Sequence, residues 1–369
     1  MTAKVCRIWR DTAIRLLETS GIRRKSAGKS TESELKHEFF LRVFFILIPF
    51  KQLTIPATGE YSCRVIFESE LQAAGILEPE LRRSFTLCKR LNAEHGKTYY
   101  LATLLLPKAK RPYVHALYGF ARYADEIVDN FDEHLTVAER ERLLTEFATE
   151  ILSDLKRGTS NHPVGAALIH TVNTFAIPLE YFQAFLDSMA MDLTVTTYQD
   201  YPALERYMYG SASVIGLQML PILGSRSEEA KIAAQRLGEA FQLANFIRDI
   251  AEDIDRGRIY LPLEDLAKCG VTPEDLRARV LTPAITTALK FQIARVRSLQ
   301  SEANAGIELL DPVSRPCIRA ASELYCGIVD EIERFDYQIF RRRAKTSTWR
   351  RLRVALPAAL QALWARIRY

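Results

Sequence analysis

The sequence predicts an all-α protein, and three observations lead there. Apolar residues recur at helical rather than alternating spacing along nearly the whole chain after Ser69. Leu, Ala, Glu and Arg dominate, and all of them extend helices at little cost. Glycine and proline, 16 and 15 of the 369 residues, fall mostly at segment ends, and strand-like alternation is scarce. With 48% hydrophobic residues the chain can bury a sizeable core, in one large domain or two.

Charge and cysteine usage exclude several classes. A net charge of +5 is too mild to imply nucleic acid, and basic residues are not interleaved with aromatics along one groove. Cys6, Cys63, Cys88, Cys269, Cys317 and Cys326 lie far apart with no C-x-x-C pair, so neither a disulfide framework nor a zinc site is indicated. Reduced thiols in a cytoplasm are expected. No G-x-G-x-x-G follows a strand, so no separate dinucleotide-binding domain is expected.

Residues 1–66 read as an atypical N-terminal extension. RRKSAGKST ends like a phosphate-binding loop, but Arg23 stands where that motif needs glycine. The apolar run Phe39 to Phe50 is interrupted by Arg42 and is too short to span a bilayer. A disordered extension and a membrane-surface segment are the two readings of this stretch.

From Ser69 the helices follow in order. ESELQAAGI, EPELRRSFTLCKRLNAEHG and TYYLATLLLP come first, the last stopped by Pro107. KAKRPYVHALYGFARYADEIVDN carries Pro112 in its first turn and Asn130 at its end. Thr136 to Lys156, Pro163 to Phe175 and Pro178 to Thr197 are amphipathic and opened by Thr or Pro. LERYMYGSASVIGLQMLPILG is rich in small residues at a cost in helix propensity, read either as close helix packing or as a binding wall. After an acidic helix, RGRIYLPLEDLAKCGVTPEDL is a turn-rich connector, either a surface loop or a flap closing over the site. Thr282 to Leu310 and Arg315 to Arg342 read as two long helices, and residues 346–369 as a basic amphipathic one. A helical domain over 67–345 is therefore expected, with that last helix appended.

Two acidic stretches suggest chemistry. In Gln242 to Pro262, Gln242, Asn245, Asp249, Glu252, Asp253 and Arg256 share one helical face, with Phe246, Ile247, Ile250 and Ile254 on the other. In Tyr118 to Asp129, Tyr118, Arg122, Asp125 and Asp129 line one face. Both stretches space their aspartates four apart. Such pairs repel unless a cation sits between them, and hard oxygen ligands on facing helices suit magnesium carrying a diphosphate. Taken singly, each helix also reads as an ordinary amphipath with its acids in water.

The segments HGKTYYLA, ALYGFARYADEIVD, YMYGSASVIG and NFIRDIAEDIDRGRIYLP, in this order, resemble the squalene/phytoene synthase family of head-to-head prenyl transferases, from about Ser84 to about Leu352. MAMDLTVTTY and DYQIFRRRAKTSTWRRL make the likeness strongest to bacterial phytoene synthases. The resemblance implies a single-domain isoprenoid-synthase bundle around a central cavity, with magnesium, or manganese in its place, and no NADPH. It implies Asp125, Asp129, Asn245, Asp249 and Asp253 as metal ligands, the four aspartates also counting as catalytic. It implies Tyr118, Tyr209 and Tyr325 as cavity tyrosines, and His95, Thr98, Tyr99, Arg122, Gln242, Arg248, Arg258 and Arg342 as substrate-binding residues. Gly96 stands where many members have serine.

The implied reaction is condensation of two geranylgeranyl diphosphates to phytoene. Alternatives are a squalene, hydroxysqualene or dehydrosqualene synthase using farnesyl diphosphate, and a non-catalytic member acting as an assembly protein. Downstream carotenoid enzymes are the partners implied. The tail mixes Trp349, Leu352, Leu356, Leu360, Leu363, Trp364 and Ile367 with five arginines, a pattern for lying on an anionic membrane at its inner face or for capping the bundle.

Overall fold

Helical periodicity punctuated by capping residues gives a helical bundle in the computed structural model, which describes residues 67–129 and 135–369. The extension expected over 1–66 lies outside the described residues. Residues 67–73 are helical. The order that follows is α1 (Pro79–His95), α2 (Lys97–Thr103), a 3-10 turn, α3 (Arg111–Asp129), α4 (Val137–Arg157), α5 (Gly165–Phe175), α6 (Glu180–Thr194), α7 (Tyr201–Met208), a π-helical turn (Tyr209–Ser213) and α8 (Val214–Leu223). Then come α9 (Glu228–Asp255), α10 (Leu263–Lys268), α11 (Pro273–Arg277), α12 (Pro283–Ala305), a second 3-10 turn, α13 (Arg315–Cys326), α14 (Ile328–Arg334) and α15 (Thr348–Arg368). Among the described residues the only β pairing is an isolated bridge between Thr197 and Ile259.

Helix starts follow local chemistry. Thr136 and Glu139 form a reciprocal capping box for α4, Ser227 caps α9 and Thr282 caps α12, each satisfying an otherwise orphaned backbone N–H. The long α9 packs chiefly along α12 and α8, while α3 packs on α1, α5 and α6. Leu243, Ile247 and Ile250 of α9 meet Leu289, Ile293 and Val296 of α12 in the main core cluster. Each such side chain contributes about 1.5–3 kcal/mol on burial.

Two expectations are corrected and one is narrowed. The helix read over Arg315 to Arg342 breaks at Gly327 and ends at Arg334, because Asp336 and Tyr337 take left-handed φ values of 54° and 61°. The connector after α9 is neither surface loop nor free flap: Ile259, Tyr260, Leu261, Leu266, Val271 and Leu276 are buried in the core. Ile259 N–H donates to Thr196 O at 2.8 Å, which ties it to the end of α6. The small-residue helix is interrupted by the π turn, and a Cβ on Gly210 would lie 2.1 Å from Ala184 O and from Ser188 Oγ. Gly210 therefore serves close packing against α6.

A buried ion pair fixes the start of α3. Arg111 donates from Nη1 to Glu70 at 2.6 Å, from Nε to Leu106 O at 2.8 Å and from Nη2 to Leu104 O at 3.0 Å. Both partners are buried, and Lys89 adds a 2.9 Å bond to Glu70. Arg111→Ala would leave the Glu70 charge under-compensated, so a loss of about 3–5 kcal/mol is expected in urea unfolding. An unchanged midpoint would contradict the pairing.

Candidate active site

The two acidic helices meet through side chains. From α3, Asp129 faces the C-terminal end of α9, where Arg256 Nη1 lies 3.4 Å and Arg258 Nη1 3.9 Å from its Oδ1. Arg122 Nη1 holds Asp125 Oδ2 at 2.7 Å while its Nε holds Glu126 at 3.0 Å. On α9, Arg248 grips Asp249 at 2.8 and 2.5 Å, and Arg343 donates to the same carboxylate at 2.8 Å. Arg343 also approaches Glu252 at 3.3 Å.

These arginines divide the carboxylates into two electrostatic kinds. Burial works against the Asp249 charge, but hydrogen bonds from Arg248 and Arg343 outweigh it and hold its pKa below the ordinary value. Asp253 has no such support: burial and then the Asp249 charge push it up to about 7, against Arg256 and Arg258. Burial and then Asp129 push Asp125 up to about 6, against Arg122. Two aspartates thus gain from a nearby cation, and the Asn245 Oδ1 on the same face of α9 is buried with no hydrogen-bond partner. Hard oxygens, crowded acids and an orphaned amide oxygen fit magnesium. Among the described residues no three acidic, histidine or cysteine side chains already form a metal cage.

Aromatic rings wall the site. Tyr99 of α2 lies 5.0 Å from Tyr325 of α13 and 6.4 Å from Tyr118 of α3, centroid to centroid, and Phe241 is 4.7 Å from Tyr325. Tyr325 lies near enough to Arg248 to favour its charged form, after burial and Asp249, which relates the rings to the acids. Gly96 has a physical reason here: a Cβ would sit 2.5 Å from the Tyr118 ring.

Not every residue expected at the site gathers there. His95 ends α1, with Nε2 3.7 Å from Glu126, and Gln242 is half-buried one turn before Asn245. Thr98 turns the other way, into an apolar pocket with Leu101, Leu324 and Ala355. Tyr209 opens the π turn and is 41% exposed, away from the tyrosine cluster. Arg342 stacks on Phe335 at 5.3 Å, and its neighbour Arg343 reaches the acids instead. The triple-arginine run lies in turns, where helical spacing cannot choose among its members.

A second group was not singled out from the sequence. Asp192, buried at the end of α6, accepts from Tyr207 Oη at 2.8 Å and Tyr260 Oη at 2.9 Å, while its backbone oxygen accepts from Arg258 at 2.7 Å. Burial raises its pKa despite the tyrosine bonds. A signal existed: Phe182, Phe185, Met189 and Asp192 continue one apolar stripe, and the aspartate is its one charged member.

Raised carboxylate pKa values mean that the folded protein holds protons the unfolded chain releases. Asp125 and Asp253 therefore lose stabilisation as pH rises from about 4 through about 6 to 7. Asp253→Asn is expected to raise the melting temperature of metal-free protein at about pH 7.5 and to leave it unchanged near pH 4. Equal melting curves in chelator at the higher pH would refute the crowding. Tyr207→Phe is expected to lower kcat about tenfold by loosening Asp192 and, because it removes a partner of a buried carboxylate, to cost about 1–3 kcal/mol in urea unfolding.

With this geometry in hand, comparison with known proteins is specific. The family model described as squalene/phytoene synthase matches residues 92–350. Phytoene synthase of Arthrospira platensis is 34% identical over 289 residues, covering 75% of this chain and 92% of that protein. The chloroplastic phytoene synthase of Daucus carota is 36% identical over 293 residues, covering 77% and 72%. A solved dehydrosqualene synthase, determined in complex with ligand, matches with a TM-score of 0.70 at 27% identity, covering 76% of this chain and 96% of that one. The chain belongs to the squalene/phytoene synthase family of prenyltransferases.

Proposed function

We propose that this chain condenses two geranylgeranyl diphosphates head to head to give phytoene. The observation that supports this most is the two crowded aspartate pairs, Asp125 with Asp129 on α3 and Asp249 with Asp253 beside the unpartnered Asn245 oxygen on α9, linked where Arg256 and Arg258 approach Asp129. Those five oxygen-bearing residues would hold magnesium, with manganese as substitute. Bound there, the metal would neutralise diphosphate charge and ease departure of that leaving group.

The chain's own groups account for the rest. Arg122, Arg248, Arg258 and Arg343 already sit against carboxylates, so a diphosphate drawn to the site meets guanidinium donors at its rim. Asp192, fixed by Tyr207 and Tyr260, holds Arg258 in place through its backbone oxygen. Breaking the first allylic C–O bond leaves a cation. The second substrate's alkene attacks it, and loss of a proton gives a cyclopropylcarbinyl diphosphate. Ionisation of that intermediate, rearrangement and a second proton loss give the hydrocarbon, so no reductant enters and no NADPH is needed. Tyr99, Tyr118 and Tyr325 present rings to these cations, each well-placed ring attracting by about 0.5–2 kcal/mol.

A second reading, a thirty-carbon synthase acting on farnesyl diphosphate, is favoured by the likeness to a solved dehydrosqualene synthase. The buried thiols Cys88, Cys317 and Cys326 suit a reducing cytoplasm. An apolar product calls for peripheral contact with the inner face of a membrane and for downstream carotenoid enzymes that take it up.

Purified protein with magnesium and either substrate, with and without NADPH, tests the reading by mass spectrometry of extracted hydrocarbon. Forty-carbon phytoene from geranylgeranyl diphosphate without NADPH is expected, and a thirty-carbon product from farnesyl diphosphate alone would move the assignment. Asp125→Asn and Asp249→Asn are each expected to lower kcat by about a hundredfold or more, and chelator to abolish turnover.

A further inference from the structure

The last helix exposes its large side chains and buries its small ones. α15 turns Val354, Ala355, Ala358, Ala359, Ala362 and Ala365 inward, chiefly against α13. Trp349 is 72% and Trp364 51% exposed, and Ile367 is exposed with them. At 100° per residue Trp349, Leu356, Leu360, Trp364 and Ile367 form one outward stripe, with exposed Arg353 and Arg368 beside it. No acidic residue occurs between Thr348 and Arg368. The Arg368 guanidinium stacks 4.8 Å over the Trp364 ring.

The helix is firmly seated. Arg350 Nη2 donates to Asp330 at 2.6 Å near its start, and Arg366 Nη2 donates to Leu105 O at 2.6 Å near its end. The outer stripe is thus presented by a fixed element. Beneath it α2 and α13, which carry Tyr99 and Tyr325 at the site, line an apolar pocket with Ala355.

We propose that the outer face of α15 seats this protein on an anionic lipid surface, with Trp349, Trp364 and Ile367 in the boundary between headgroups and acyl chains and Arg353 and Arg368 on lipid phosphates. Charge selects this occupant. Tryptophan and arginine together suit that boundary, whereas a second copy docked by the same face would set arginine against arginine. No described helix is long and apolar enough to cross a membrane, so contact would be made in the plane of the surface. A lipid surface there lies about one helix diameter, roughly 10–12 Å, from the pocket floor. From the proposed reaction this inference takes only that the substrate tails and product are apolar.

The test is sedimentation of the full-length protein with vesicles of phosphatidylcholine alone or with about one-third phosphatidylglycerol. Strong binding to the mixed vesicles, weakened by salt, is expected. The Trp349→Ser/Trp364→Ser double variant should bind them at least about tenfold more weakly while keeping its circular dichroism and its turnover in detergent. Arg353→Glu/Arg368→Glu should remove the preference for anionic lipid. A variant with Trp9 and Trp349 replaced by phenylalanine should show Trp364 fluorescence quenched by brominated acyl chains. Undiminished binding of the tryptophan variant, an unchanged lipid preference or absence of quenching would each overturn the proposal. So would a dimer lost in the tryptophan variant without vesicle binding, which would make the face a contact between copies. Vesicle binding that persists in protein unable to form hydrocarbon would count against the proposed reaction alone.

Discussion

Crowded negative charge is the constraint to which the rest of this site answers. Two aspartates on each of two helices crowd one another, and their repulsion is met by arginines from α3, from α9 and just beyond its end, and from the segment after α14. The compensation is uneven. Asp249 is doubly gripped and stays charged, whereas Asp253 and Asp125 are pushed toward the protonated form. A site held in this state favours the arrival of a cation.

The two acidic helices are set mainly by different neighbours and share α8. α3 is held chiefly by α1, α4, α5, α6 and the buried Arg111–Glu70 pair, while α9 is held chiefly by α12 and α8. Arg256 and Arg258, just beyond the end of α9, reach α3 at Asp129. Tyr99 brings Tyr118 of α3 and Tyr325 of α13 into one cluster, and the connector after α9 is buried in the core.

Much of this was legible in the sequence because helical spacing carries it. The aspartates, Asn245, Arg122 and Tyr118 sit on faces that a wheel at 100° per residue reproduces, and the caps at Thr136 and Thr282 are local. What was not legible depends on tertiary contact or irregular backbone. Arg343 rather than Arg342 reaches Asp249 because the chain after Arg334 leaves the helix through two left-handed residues. Tyr209 is 41% exposed where the helix passes from α to π, a change that a wheel at 100° per residue does not represent. The role of Asp192 needed Tyr260, which lies 68 residues away in sequence and meets it only in the fold.

The bond from Arg258 to position 192 goes to a main-chain oxygen, whereas the two tyrosines depend on the side chain. Every residue type offers that oxygen. Substitution at 192 would therefore disturb the tyrosines while leaving the arginine its anchor, so the two functions of this position are separable in evolution. A descendant of this chain could retune the aromatic side of its site without first surrendering a cation beside Asp129.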